Sequence, residues 1–199
     1  MSDIIFHFNP TGQLYLSPKN NDLPLYSISI TQEEYLIRQS NPTDLKKFKP
    51  SEGWFESNEP EDHLDNVSQK ISSLGKNKNI LCFSYKDKTL AFRLKENNSV
   101  NIDYLFEKNE GILGSFPEDY DSNLIIKKLY DYQDKYDLII FRHYLEHFKY
   151  PKKLLIGLKK CLKHKGLMYL EVPDCNKFIL FGNPLFLWEQ HLSYFTKES

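Results

Sequence analysis

The sequence predicts an α/β fold, in which a parallel sheet with flanking helices follows a small amino-terminal extension. Strand-like and helix-like segments alternate from Asn79 onward, which is the pattern of βαβ units. In the predicted strand Tyr136–Phe141, a continuous apolar run follows Tyr136 and Asp137, as expected of a parallel strand that is buried on both faces. That run then breaks into the polar string Arg-His-Tyr-Leu-Glu-His at positions 142–147. Because ligands of open α/β sheets bind just outside the carboxyl ends of the strands, this string is the first candidate for a functional site.

The composition excludes several classes of protein. With 40% hydrophobic and 15% aromatic residues, the 199-residue chain can bury a core. A net charge of -1 gives no reason to expect nucleic acid or a membrane as a partner. Cys82, Cys161 and Cys175 lack metal-ligand spacing, which favours a reduced, cytoplasmic location. Asp3 and His7 interrupt the only early apolar stretch, so we expect no signal peptide, and no apolar run approaches the ~20 residues of a membrane span.

The amino-terminal extension carries two local signals. Ile4–Phe8 and Gln13–Leu16 are separated by a Pro-Thr-Gly turn, which predicts a β-hairpin. Thr31 and Glu34 have the spacing of a capping box and predict a short helix that runs through Ile37.

Later elements follow from apolar spacing, from prolines at first helical turns and from glycines at helix ends. The expected elements are, in order, a helix from Pro60 to Gly75, a strand at Ile80–Phe83, a helix at Thr89–Leu94, strands at Ser99–Asp103 and Ile112–Phe116, a helix at Asn123–Tyr132, the strand Tyr136–Phe141, a helix at Pro151–His164 and a strand at Leu167–Val172.

Three ordered blocks carry a resemblance to a known family. They are residues 136–151, the Lys-His-Lys-Gly to Glu-Val-Pro segment at 163–173, and the Glu-Gln-His-Leu-Ser-Tyr-Phe-Thr string at 189–196. The chain resembles the class I, Rossmann-like, S-adenosylmethionine-dependent methyltransferases, and within them the sugar C-methyltransferases. The likeness covers roughly residues 50–199. It implies a methyltransferase-like domain at 59–199, preceded by a hairpin and helical extension at 1–58.

The resemblance implies that S-adenosylmethionine is the cofactor and that it lies against the loop after the first strand. Family members carry glycines there, so that the backbone comes close to the cofactor. In this chain the aligned positions hold side chains, which narrow the slot for the methionine end. An acid at the end of the second strand holds the ribose hydroxyls in such folds. The implied cofactor-binding residues are Ser84, Tyr85, Lys86, Lys88, Asp103 and Arg142.

The catalytic residues that the resemblance implies are His191 as a general base, Glu189 to orient it, and His143 at the pocket. Gln190 replaces a glutamate of the family, and the alternative for His191 is a polar loop histidine packed by aromatic neighbours. The implied reaction is methyl transfer to a small polar acceptor, such as a nucleotide-linked sugar. The competing hypothesis is a catalytically inactive, methyltransferase-like scaffold or partner subunit.

Residues His143 to His147 also match the H-x-x-E-H string of inverted zinc proteases, in which two histidines one helical turn apart bind the metal. That motif needs a long helix, whereas a strand-like run precedes this one and Pro151 follows closely. We therefore expect Glu146 and His147 to stabilise a turn at the strand end, and no metal to bind.

The family fold continues through at least two strands beyond the position of Thr196, where a helix is expected to begin. We therefore expect an incomplete sheet whose open edge is covered by a second chain, either another copy in a homodimer or a complementing subunit. The first 50 residues contain no cysteine, so the zinc module of the sugar C-methyltransferases is not expected either.

Overall fold

The structure, a computed structural model, describes residues 3–8, 26–31, 36–39, 59–74, 79–97, 100–106, 122–148, 150–181 and 191–197. Within these ranges, none of the helices is long and apolar enough to cross a membrane. The strands are β1 Asp3–Phe8, β2 Tyr26–Thr31, β3 Leu36–Gln39, β4 Asn79–Ser84, β5 Asn101–Phe106, β6 Tyr136–Arg142, β7 Leu162–Glu171 and β8 Ser193–Tyr194. The α-helices are α1 Glu61–Ser73, α2 Lys88–Asn97, α3 Ser122–Leu129, α4 Pro151–Cys161 and α5 Asn176–Leu180, and short 3-10 turns lie at Tyr85–Asp87, Tyr130–Tyr132 and Leu145–His147.

Four described strands form the parallel sheet that the sequence predicts, in the order β5-β4-β6-β7. The segments around Ile80 and Leu138 are direct neighbours and pair in register. Because all four strands run the same way, their carboxyl ends meet at one edge of the sheet. We call this the carboxyl edge.

The two faces of the parallel sheet bury alternate residues of each strand. Leu81 and Phe83 of β4 pack with Ile139 and Phe141 of β6 against α3 and α4. Ile80 and Cys82 of β4, with Leu138 and Ile140 of β6, pack against α1 and α2. This double burial explains the continuous apolar run at Leu138–Phe141 of β6. By the same alternation Arg142, which follows Phe141, lies on the face of α1 and α2.

A second sheet is antiparallel, with the order β1-β2-β3-β8. Strand β8 comes from the carboxyl-terminal part of the chain, so the extension and the later domain share this sheet. The expected helix from Thr31 through Ile37 is wrong, because Thr31 ends β2 and Leu36–Gln39 is a strand. The ladder with β2 gives Ile37 a cross-strand partner, Ile30, and such pairing overrides a local capping signal. The described partner of β1 is β2, and Gln13–Leu16 lies outside the described residues.

The other predicted helices and strands agree with the structure to different degrees. Helices α1, α2 and α3 and strands β4 and β6 confirm the predicted segments. Strand β5 is shifted and runs to Phe106, so that Asp103 is not its last residue. Helix α4 ends at Cys161, and the residues predicted as its last turn already belong to β7. The segment Ile112–Phe116 lies outside the described residues.

Candidate active site

Polar residues of three strands and loops meet at the carboxyl edge around Arg142, the last residue of β6. The side chain of Arg142 is 1% exposed. Its Nε donates to Glu171 Oε2 at 2.7 Å, Nη1 to Asp87 Oδ1 at 3.2 Å, and Nη2 to Glu59 Oε2 at 2.5 Å. Asp87 ends the turn after β4, Glu171 ends β7, and Glu59 precedes α1. We call these four residues the Arg142 cluster.

The Arg142 cluster contains three carboxylates and one guanidinium, and their contacts shift the pKa values of Glu171 and Arg142. Burial alone would raise the pKa of Glu171, but hydrogen bonds from His143 and Arg142 outweigh it and hold that pKa well below its ordinary value. Burial would lower the pKa of Arg142, and the surrounding carboxylates raise it instead. The guanidinium is therefore permanently charged and serves as the counter-ion of three chain segments.

His143 follows Arg142 in the left-handed region, with φ of 53°. This conformation is uncommon for a residue with a Cβ atom. The His143 amide donates to the Glu171 carbonyl at 2.9 Å, and Nε2 donates to Glu171 Oε1 at 3.1 Å. His63 of α1 approaches the same carboxylate oxygen at 2.9 Å. The turn of the chain after β6 is therefore fixed by contacts with the end of β7, and His143 stays about one-third exposed at 31%.

The loop after β4 lacks glycine and takes a conformation that needs none. Tyr85–Asp87 form a 3-10 turn and Lys88 begins α2. The described non-glycine residues with positive φ are Asp134, His143 and Lys165, so this turn has no left-handed residue. Asp87 points inward to Arg142, whereas Lys88 is exposed with its Nζ 5.4 Å from the centre of the Tyr85 ring.

Tyr85 also packs against Tyr104 of β5, at 5.5 Å between ring centroids. The loop thus presents an aromatic ring and a cation at the carboxyl edge. Two further predicted cofactor residues are described by their backbone only. Ser84 is the last residue of β4, and Lys86 lies in the 3-10 turn.

A second group of polar residues lies beside the Arg142 cluster. Glu146 and His147 belong to the 3-10 turn after β6, and His191 reaches them from the far end of the chain. All three side chains are buried, with exposures of 3%, 4% and 5%. One possible ligand atom from each lies within 4.8 Å of the other two. We call these three residues the histidine cluster.

Backbone contacts hold the two parts of the histidine cluster together. The amide of Leu192 donates to the carbonyl of Glu146 at 2.8 Å. The hydroxyl of Ser193 donates to the carbonyl of Phe148 at 3.4 Å. Since Ser193 and Tyr194 form β8, the pairing of β8 with β3 anchors the same segment from its other side.

The His191 ring is held in its neutral form. Burial lowers the pKa of His191 well below its ordinary value, and the nearby His147 and His143 lower it further. The rings of His191 and His147 are 5.0 Å apart in an edge-to-face arrangement. At neutral pH, His191 therefore offers an unprotonated nitrogen, which can accept a proton or bind a metal ion.

Asp103 lies away from these residues. Its Oδ2 accepts a hydrogen bond from the Tyr136 hydroxyl at 2.8 Å, and Tyr136 is the first residue of β6. With Asn79 and Asn101, the first residues of β4 and β5, these side chains line a surface hollow at the opposite, amino end of the sheet. The structure does not bring Asp103 to the carboxyl edge, because β5 extends three residues beyond it.

Comparison with known proteins identifies the domain. A family model described as "Methyltransferase domain" matches residues 57–199, which is more than half of the chain. The chain belongs to this methyltransferase family. A search of curated proteins finds no match to it. The parallel sheet, with helices on both faces, is consistent with the Rossmann-like fold of class I methyltransferases.

Within this methyltransferase-family domain, the predicted site residues fall into three groups. His143 and His191 lie at or near the carboxyl edge, as do Tyr85 and Lys88, although their roles stay predictions. Arg142 was expected among the cofactor-binding residues, and the structure buries its side chain among carboxylates. Asp103 lies at the other end of the sheet, and Glu189 lies outside the described residues.

Sequence reasoning missed the partners of Arg142. Glu171 ends β7 directly after an apolar segment, as Arg142 ends β6, so the rule that polar residues follow buried strands applies to both. Asp87 and Glu59 gave no such signal. Glu146 and His147 were expected to stabilise a turn; they do lie in one, and they are also two of the three residues of the buried histidine cluster, with His191 as the third.

Proposed function

We propose that this domain transfers a methyl group from S-adenosylmethionine to a small polar acceptor, with a nucleotide-linked sugar as the acceptor class that the resemblance implies. One observation carries the proposal. The turn after β4 and the end of β6 come together at the carboxyl edge, where Arg142 Nη1 contacts Asp87 Oδ1 at 3.2 Å. These are the two segments between which class I methyltransferases bind their cofactor.

The residues of the loop fit the cofactor by charge and stacking instead of by close backbone approach. Lys88 is exposed at the first position of α2, where an ammonium group and the helix amino terminus together favour a carboxylate. Tyr85 and Tyr104 offer aromatic rings for the adenine. When bound, S-adenosylmethionine supplies an electrophilic methyl group, whose bond to sulfur breaks as the acceptor atom bonds to the methyl carbon.

On the acceptor side, the chain provides His143 and the histidine cluster. His143 is half-buried at the edge, and a histidine there can hold a hydroxyl of the acceptor. The acceptor loses one proton in the reaction. We assign the handling of that proton to the histidine cluster, because burial lowers the pKa of His191 and so keeps its imidazole neutral in this buried group.

The alternative is a methyltransferase-like scaffold without catalysis. The Arg142 cluster favours it, because Asp87 of the cofactor loop is drawn into the interior and held there by a buried ion pair. A loop fixed in this way adapts to a ligand less readily than a glycine-rich loop does.

Isothermal titration calorimetry with S-adenosylmethionine separates the two proposals. We expect micromolar binding, and we expect Lys88→Ala to weaken it about tenfold, the effect of one charge-assisted contact. Lys95→Ala is the matched control, since Lys95 is an exposed lysine in the last turn of the same helix and should leave binding unchanged. Absence of heat at millimolar cofactor would refute the methyltransferase proposal and favour the scaffold.

A further inference from the structure

The histidine cluster has the composition of a metal centre. Two imidazoles and one carboxylate form the protein ligand set of a common class of catalytic zinc sites, which keep a further position open for water or substrate. The same set with open positions also holds Fe²⁺. All three side chains are buried, so they would shield a bound ion from bulk water.

The spacing of the cluster is close to that of a bound site. Ligand atoms on one tetrahedral Zn²⁺ lie about 3.4 Å apart, given bonds of about 2.1 Å. Here the candidate ligand atoms of Glu146, His147 and His191 all lie within 4.8 Å of one another, and Glu146 Oε1 is 3.9 Å from His147 Nε2. The candidate ligand atoms therefore lie within about 1.4 Å of the separations expected around a bound ion.

An independent observation points to a cation. Glu146 Oε2 is buried and finds no hydrogen-bond donor in the part of the chain that the structure describes. A buried carboxylate oxygen without a partner is unfavourable, and native structures usually satisfy such an atom. A metal ion bound beside His147 and His191 would supply the missing positive charge.

The scaffold around the cluster is already organised for binding. The Leu192 amide holds the carbonyl of Glu146, and the His147 amide donates to the carbonyl of Tyr144 at 3.0 Å within the 3-10 turn. Both segments that carry the ligands are therefore fixed relative to each other before any ion arrives. Preorganisation of this kind reduces the entropy lost on binding.

We propose that Glu146, His147 and His191 bind one divalent transition-metal ion, with Zn²⁺ as the reference ion, whose open coordination position takes an oxygen atom of the acceptor. The site differs from the H-x-x-E-H arrangement, because His143 turns away and contacts Glu171. The role in acceptor binding rests on the proposed function, whereas metal binding itself does not. A metal at this position would lower the pKa of a bound hydroxyl and so ease the loss of its proton.

The test uses the full chain, stripped with a chelator and titrated with Zn²⁺ in the absence of S-adenosylmethionine. We expect one ion per chain by calorimetry. Visible absorption after Co²⁺ substitution should show the intense bands of a four- or five-coordinate ion. Glu146→Gln and His191→Asn should each weaken Zn²⁺ binding by about 100-fold or more. The control is His164→Gln, an exposed histidine on β7, which should bind Zn²⁺ as the unmodified chain does.

Several results would overturn the proposal. One is a chain that takes up no Zn²⁺ at millimolar concentration, and another is equal uptake in both ligand variants. If circular dichroism shows that the variants do not fold, the Co²⁺ spectrum of the unmodified chain decides alone, and an octahedral spectrum counts against the site. Metal uptake without S-adenosylmethionine binding would refute the proposed function and leave the metal site standing. Cofactor binding without metal uptake would refute the metal site and leave the proposed function standing.

Discussion

Two buried polar clusters lie side by side after β6, and they satisfy their charges in different ways. In the Arg142 cluster, each nitrogen of the guanidinium meets a carboxylate at 2.5 to 3.2 Å. In the histidine cluster, one oxygen of Glu146 has no donor among the described residues, and the imidazole of His191 is kept neutral. The first cluster is arranged as a structural junction, and the second as a site that accepts a ligand.

The difference shows how burial has opposite consequences for the two clusters. A buried ion pair is costly to break, because the charge that remains is neither paired nor solvated. A buried group without full partners is instead a candidate for ligand binding, because a ligand recovers the missing interaction. The counter-ion separates the two clusters, because the carboxylates of the first lie against the Arg142 guanidinium, whereas Glu146 lies against the imidazoles of His147 and His191.

The largest expected effect is the loss of Arg142. Arg142→Ala leaves Glu59, Asp87 and Glu171 facing one another without a counter-ion, so we expect it to lower the free energy of unfolding by about 3–5 kcal/mol. In the metal-free chain, Glu146→Gln should cost far less, because it removes a buried charge that lacks full compensation. Urea unfolding measures both changes.

An arginine whose carboxylate partners are exposed provides the control for that experiment. Arg93 also contacts two carboxylates, Glu61 and Asp65, but these partners are largely exposed. Arg93→Ala should therefore cost less than about 1 kcal/mol. Equal losses for Arg142→Ala and Arg93→Ala would contradict the structural role of the Arg142 cluster.

An intermediate effect concerns pH and Glu171. Its pKa is depressed in the folded chain, so the carboxylate stabilises the fold above the unfolded pKa of about 4.3, and this contribution is lost as pH falls toward the folded value. The unmodified chain should be more stable than Glu171→Gln at neutral pH. Below about pH 4 the difference should shrink by up to about 1.4 kcal/mol per pH unit.

The measurement is urea unfolding of both proteins between pH 7 and pH 2. Arg142, His143, His63 and Tyr169 all face this carboxylate, and they are present in both proteins. The two proteins therefore differ only in the Glu171 carboxyl and in its contacts with these groups. Stability profiles that stay parallel across this range would show that Glu171 is not held in its charged form.

The sequence predicted the parallel sheet better than it predicted the site. Strand β6 was evident because burial on both faces leaves an unbroken apolar run, a signal contained within seven residues. The contacts of Arg142 were not evident, because Glu59 and Glu171 are 83 and 29 residues away and only the folded sheet brings them together. The placement of Asp103 was missed for a smaller reason, since β5 ends three residues later than the sequence predicted and Asp103 lies with the first residues of β4 and β6.

The smallest expected effect tests the conformation of His143, which lies between the two clusters. Its φ of 53° favours glycine, while its ring contacts Glu171. Both His143→Gly and His143→Ala lose the ring contact, so they differ mainly in backbone strain. The glycine variant should therefore be more stable by about 1–2 kcal/mol, as urea unfolding would show.

Lys152, in the first turn of α4, provides the control. At this exposed helical position, Lys152→Gly should be less stable than Lys152→Ala by up to about 1 kcal/mol. If alanine is also preferred at position 143, the left-handed turn after β6 does not exist in solution, and the contact of His143 with the Arg142 cluster is lost with it.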